Sequence, residues 1–256
     1  MIEEPYRWVE AIANRREYIE TQLAAGSPIA AMTYREGILF LTLGRARQKI
    51  FEIYDRIAMG AIGHPGDIER LRMAAIELAS TEGFTRSAAD VSLRRLAHYS
   101  LSPVMKGAFE QVYGAPYLAR LLFAEIGNRP EEDLFLRVEY DGAIATNGAT
   151  PAQTQQNFAI LSATKQSAEL MEAFLKEQHS PTGSLADSIR LAVDAWSVGH
   201  MAKNGSKEIP DRSMIAEYRA AELMKRGIEA AVLERESQTA IRYRPLSDKE
   251  VRDLIG

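Results

Sequence analysis

Few side chains in this sequence are spaced for chemistry. Four histidines, His64, His98, His179 and His200, lack the short regular spacings from which metal ligands are drawn. Gly60, Gly63 and Gly66 recur every third residue. They lack the Lys-Ser/Thr ending and the strand–turn–helix setting in which a glycine turn cradles phosphate. There is no cysteine, so thiolate nucleophiles, thiolate zinc sites and disulfides are excluded. One lysine, Lys49, stands directly before a strand-like run, IFEIY. A lone lysine is ordinarily a solvated surface residue. All of these except the last three histidines fall within one stretch, residues 26–72, whose elements must position them.

That stretch sits in a chain of 256 residues, 46% apolar and 26% charged. This is the composition of a soluble protein with a real core, and the length suits one large domain over residues 1–256. The formal net charge of −4 argues against a nucleic-acid surface. The first twenty residues are charged from Glu3 onward and contain no apolar signal-peptide core, and no run of eighteen apolar residues marks a membrane span. A cytoplasmic, membrane-free protein without cofactor or metal is the expectation.

Taken in order, Pro5 suits the first turn of a helix, behind Glu3 and Glu4 at its positive end. Trp8, Ile12, Ile19 and Leu23 form its apolar stripe and Gly26 ends it. Residues 29–34 and 38–43 read as a hairpin around Gly37, and residues 50–54 and 57–62 as a second pair. The run ILFLTL is apolar on both faces, as expected of a strand covered on both sides. After the Gly63-His64-Pro65-Gly66 break, Asp67 favours a helix whose stripe is Ile68, Leu71, Ala75 and Leu78, stopped by Gly83. Ser87 with Asp90 starts another, through Leu93, Leu96, Ala97, Leu101 and Val104, kinked at Pro103 and ending near Gly114. Residues 118–126 and 134–140 are strands, 147–157 a polar loop and 158–163 a short strand. Thr164 and Ser184 open helices, the second with Ile189, Val193 and Trp196 inward. Residues 199–211 form a polar segment and 214–226 a helix. Residues 228–233 and 240–243 are the last strands, and Ser247 with Glu250 caps a final helix to Gly256. Strands, two helices, strands, two helices, strands is not the alternation of a doubly wound sheet. It predicts an α+β fold, a four-layer αββα sandwich with an additional N-terminal helix.

These residues resemble the proteasome-type N-terminal-nucleophile proteins, specifically the α-subunits of the actinobacterial 20S proteasome. REGILFLTL resembles that family's second strand, and QKIFEIYDRIAMGAIGHPGDIERLR its QKI-x-E-(I/L)-YDR-(I/V) run. YGAPYLARLLFAEIG, LFLRVEYDGAI and SLADSIRLAVDAW resemble, in the same order, two further strands and a helix. Catalytic relatives expose a threonine ten residues before the hairpin glycine and carry an aspartate six residues after it. Counting from Gly37, those positions hold Ser27 and Leu43. The resemblance therefore implies a non-catalytic subunit, with residues 1–26 retained as a gate segment and helix, not removed as a propeptide. An active, self-processed peptidase using Ser27 is the alternative. An assembly protein of the same fold with no degradative partner is a third possibility.

The resemblance further implies that Lys49 lines a pocket between neighbouring subunits and pairs with the C-terminal carboxylate of a docking activator. Gly63, fourteen residues on, matches the glycine that leaves room for that tail. Met1, Ile2, Glu3, Glu4, Pro5, Tyr6, Arg7 and Trp8 would form the pore gate. The implied partners are six further copies in a heptameric ring, a proteasome β-ring, a ring-shaped AAA+ ATPase or other activator, and unfolded protein in transit. Residues 147–157 and 203–226 depart from the family pattern, the latter as a variable surface segment, and no long acidic tail follows the last helix.

Overall fold

The computed structural model describes residues 5–44, 47–111, 113–147 and 156–255. Helix α1 (Pro5–Leu23) precedes β1 (Ile29–Tyr34), β2 (Gly37–Gly44), β3 (Ile50–Tyr54) and β4 (Ile57–Gly63). Helices α2 (Pro65–Thr85), α3 (Leu93–Leu96) and α4 (Ser102–Glu110) follow, then β5 (Ala119–Glu125), β6 (Leu134–Val138), β7 (Ile144–Asn147) and β8 (Phe158–Leu161). The chain continues through α5 (Lys165–Gln178), α6 (Leu185–Lys203) and α7 (Arg212–Lys225) to β9 (Gly227–Glu234), β10 (Tyr243–Leu246) and α8 (Asp248–Ile255).

Two five-stranded antiparallel sheets result, in the orders β10-β9-β2-β1-β8 and β3-β4-β5-β6-β7. Successive side chains of a strand point to opposite faces, and here both faces are covered. Ala30, Met32, Leu39 and Leu41 pack with Met171 and Leu175 of α5 and Ile189, Val193 and Trp196 of α6. Their neighbours Ile29, Ala31, Ile38 and Phe40 pack instead with Ile62, Leu122 and Phe135 of the other sheet. That sheet's remaining face, with Met59, Leu121, Phe123 and Leu136, packs on Ile68 and Leu71 of α2, on Leu93 and on Met105. Each large side chain buried this way contributes about 1.5–3 kcal/mol, which is why the strands read as unbroken apolar runs. A fourth, smaller cluster joins Ile19 and Leu23 of α1 to Phe109 and Tyr140.

Several expected boundaries move, each for a physical reason. Gly83 does not stop α2, which runs to Thr85. The ring of Tyr54 occupies the space where a Cβ would stand, so this glycine serves packing. Ala79 takes the buried place expected of Leu78, which is 39% exposed. The single helix expected after Ser87 is divided. Ser87 caps a 3₁₀ turn (Ala88–Asp90), and Ser92 caps α3. A π-wound stretch (Ala97–Leu101) then leads into α4, where Pro103, lacking an N–H, cannot continue the ordinary ladder. Leu101 is buried but Val104 is 49% exposed.

Gly199 lies inside α6, not in a polar segment, because Met171 of α5 presses against it there. Strand β7 was not anticipated. The last strand is Tyr243–Leu246, not 240–243, and Pro245 is tolerated because β10 is an edge. Within the expected 147–157 loop, Asn147 closes β7, and residues 148–155 lie outside the described residues. The 203–226 segment is mostly α7, whose Ile215 is buried. The last helix is described to Ile255; Gly256 lies outside the described residues. Among the described residues, no helix is long and apolar enough to cross a membrane.

Candidate partner-docking cleft

Ser27 sits at the corner between α1 and β1. Its hydroxyl donates to the Leu43 carbonyl at 2.6 Å and accepts from the Trp196 indole N–H at 2.9 Å. The only hydroxyl proton is therefore committed, and the residue is 9% exposed. Leu43, where an acid would be needed, is fully buried among apolar side chains. Lys203 secures the corner by donating to the carbonyls of Ala25 at 2.8 Å and Gly26 at 3.3 Å. Gly26 has no room for a side chain, because Ile62 of β4 lies against it.

A cleft of about 680 Å³ opens beside this corner, lined among others by Leu23, Ser27, Lys49, Phe51, Ile62, Gly63 and Arg226. Lys49 is aimed into it by the start of β3. Its backbone N–H and that of Ile50 both donate, at 2.7 Å each, to one oxygen of Glu229 on β9, and its carbonyl accepts from Ala61 at 2.9 Å. Burial lowers the proton affinity of the ammonium, Glu229 opposes that, and Arg226 and Lys203 add to it. Burial likewise raises the Glu229 carboxyl, against the two backbone N–H bonds and Lys49 that favour its charged form. The cleft thus holds a partly desolvated cation whose charge an arriving anion would favour.

Gly63 also lines the cleft, yet its requirement for glycine comes from its own fold. It has φ +145°, and a Cβ there would run into the Leu118 carbonyl across the β4–β5 pair. Of the expected gate residues, Met1 to Glu4 lie outside the described residues. The backbone of Pro5 to Arg7 starts α1, and Trp8 on its first turns is 39% exposed.

Three of the histidines brace the fold. His64 Nδ1 accepts from Gly66 N–H at 3.2 Å and caps α2. His179 Nε2–H donates to the Thr33 carbonyl at 2.8 Å, and burial lowers its proton affinity. His200 stacks on Trp196 at 4.6 Å between ring centres. His98 is exposed. Among the described residues, no three His, Asp or Glu side chains gather as a metal site.

The chain is 30% identical over 249 residues to the proteasome subunit alpha of Nocardioides sp., which covers 96% of this chain and 86% of that one. The chain belongs to the proteasome α-subunit family. The proteasome subunit alpha of Kineococcus radiotolerans is 31% identical over 213 residues, 81% of this chain and 84% of its own. That of Acidothermus cellulolyticus is 32% identical over 193 residues, 73% and 76% respectively. No protein-family model matches the chain.

The Ser27 hydroxyl is thus held in structural hydrogen bonds, and Lys49 and Gly63 both border the cleft. Sequence reasoning did not find Glu229, Lys203 or Arg226. Glu229 and Lys49 are 180 residues apart and meet only through β2–β9 pairing, which no local spacing reports.

Proposed function

We propose that this protein is the non-catalytic α-type subunit of a 20S proteasome core. It forms a heptameric outer ring on a β-ring whose subunits carry the threonine nucleophile. The sandwich is then the four-layer proteasome type, and residues 1–26 form the gate segment and helix, with Met1 to Arg15 at the axial pore. The cleft around Lys49 receives the C-terminal tail of a ring-shaped AAA+ ATPase or other activator. The function is regulated protein degradation in the cytoplasm.

The observation that carries this reading is chain-long similarity to α-subunits, in a chain whose Ser27 hydroxyl is committed to Leu43 and Trp196. The desolvated Lys49 ammonium supports the docking role, since a carboxylate entering the cleft regains there the interaction that burial removed. The test of docking is Lys49→Ala. Ring assembly should persist and activator-stimulated proteolysis should fall to the unstimulated rate. Unchanged stimulation would sink the assignment.

A further inference from the structure

Arg226 closes α7 one residue ahead of β9 and is one of the residues that line the cleft. Three contacts fix it there. Its Nε donates to Glu222 at 2.5 Å, its guanidinium carbon lies 5.5 Å from the centre of the Trp196 ring, and its Nη2 donates to His200 Nε2 at 3.4 Å. Arginine has donors only, so His200 accepts at Nε2 and carries its proton on Nδ1, 2.6 Å from the Tyr218 hydroxyl. Trp196 is in turn held by Ser27. Among the described residues, no hydrogen-bond acceptor meets Arg226 Nη1.

The floor beneath is bare. Strands β2 and β9 end opposite one another at Gly44 and Gly227. The Lys49 ammonium lies over Gly44, 3.5 Å from where a Cβ would stand, and Arg226 adjoins Gly227. Lys49 and Arg226 thus line one cleft, and the Arg226 charge opposes protonation of Lys49. The neighbouring carboxylates are already engaged. Glu229 accepts the Lys49 and Ile50 N–H groups, Glu222 holds Arg226 and Lys225, and Glu69 holds Arg72. Two partly buried cations in one cleft, with apolar walls at Leu23, Phe51 and Ile62, suit an anion supplied from outside at the end of an apolar segment.

We propose that Arg226 is a second carboxylate-binding residue of the cleft, so that a partner's free chain terminus is held by the Lys49 ammonium and the Arg226 guanidinium together. This rests on the reading of the cleft as a tail-docking site. The pair makes the cleft select a free C-terminal carboxylate over an amidated or continuing chain. The Ser27–Trp196 bond then serves docking, by steadying the ring on which Arg226 lies.

The barrel purified after co-expression with a β-subunit whose nucleophilic threonine is replaced by alanine, immobilised through that β-subunit, is offered two pools of random heptapeptides, one with free C-termini and one amidated. Retained peptides are quantified by mass spectrometry. The wild type should prefer the free-acid pool, and Arg226→Gln should reduce that preference roughly tenfold. Arg226→Lys keeps the charge without the fork and should reduce it about threefold. Lys49→Ala should abolish it. No preference in the wild type would overturn the tail-docking reading itself. A preference lost in Lys49→Ala but kept in both Arg226 variants would leave that reading standing and overturn this inference alone. Where Arg226→Gln does not fold, Arg226→Lys decides, and retention equal to wild type would overturn the role of Arg226.

Discussion

His200 shows how one side chain couples the cleft wall to pH. Burial first, and then the adjacent Arg226 charge, hold its pKa down to about 4, against 6.5 for a free imidazole. The unfolded chain therefore takes up a proton at a pH where the folded chain does not. Stability is complete above about pH 6.5 and falls as the pH drops toward 4, by up to about 3 kcal/mol. Thermal melts from pH 7.5 to 4.5 should show that decline in the wild type and a flatter profile in His200→Phe. Equal slopes would contradict the assignment. This residue was legible in sequence only as a histidine without metal spacing, because its partners Trp196, Tyr218 and Arg226 come from two helices and a helix end. Lys49 was legible for a different reason: it stands in a collinear run whose resemblance singles it out, whereas the Glu229 that aims it lies across the sheet.

At the scale of elements, one carboxylate ties both sheets together. Asp133, ahead of β6, accepts from Thr33 of β1 at 2.8 Å and from the Gly127 N–H at 3.0 Å. It also takes both terminal nitrogens of Arg235, just beyond β9, at 2.8 and 2.9 Å. Its side chain has no exposed surface and that of Arg235 is 11% exposed. Removing one member of such a pair leaves a buried, unpaired charge. Asp133→Ala should cost about 3–5 kcal/mol, read as a Tm drop of roughly 10 °C. A loss under about 1 kcal/mol would mean that the sheets are joined by apolar packing alone. No sequence pattern pointed to this pair. What the sequence did carry was the strands themselves: ILFLTL is apolar throughout because Leu39 and Leu41 face helices while Ile38 and Phe40 face the other sheet. Helix ends were read less well. Gly83 looks like a stop signal and is a seat for Tyr54, and Gly199 looks like a loop and is a seat for Met171. A glycine used for close packing has the same letter as one used to end a helix.

At the scale of the molecule, the Ser27 corner and the proposed docking cleft are joined through Trp196. Ser27 stands where catalytic relatives of this fold are expected to carry their nucleophile, yet its hydroxyl braces Trp196, whose ring underlies Arg226, and Arg226 and Lys49 line the same cleft. Helix α1, upstream of that corner, is part of the folded chain, with Ile19 and Leu23 buried against Phe109 and Tyr140. Arg120 locks it further, contacting Glu20 at 2.5 Å and Glu139 at 2.7 Å. Cleavage at Ser27 would remove the contacts made by Ile19, Glu20 and Leu23. The most direct measurement is co-expression of this chain with a threonine-initiated proteasome β-subunit, followed by electron microscopy and intact-mass spectrometry of the purified particle. The account predicts sevenfold barrels in which this chain keeps residues 1–26. A chain beginning at Ser27, or no joint particle with the β-subunit, would contradict it.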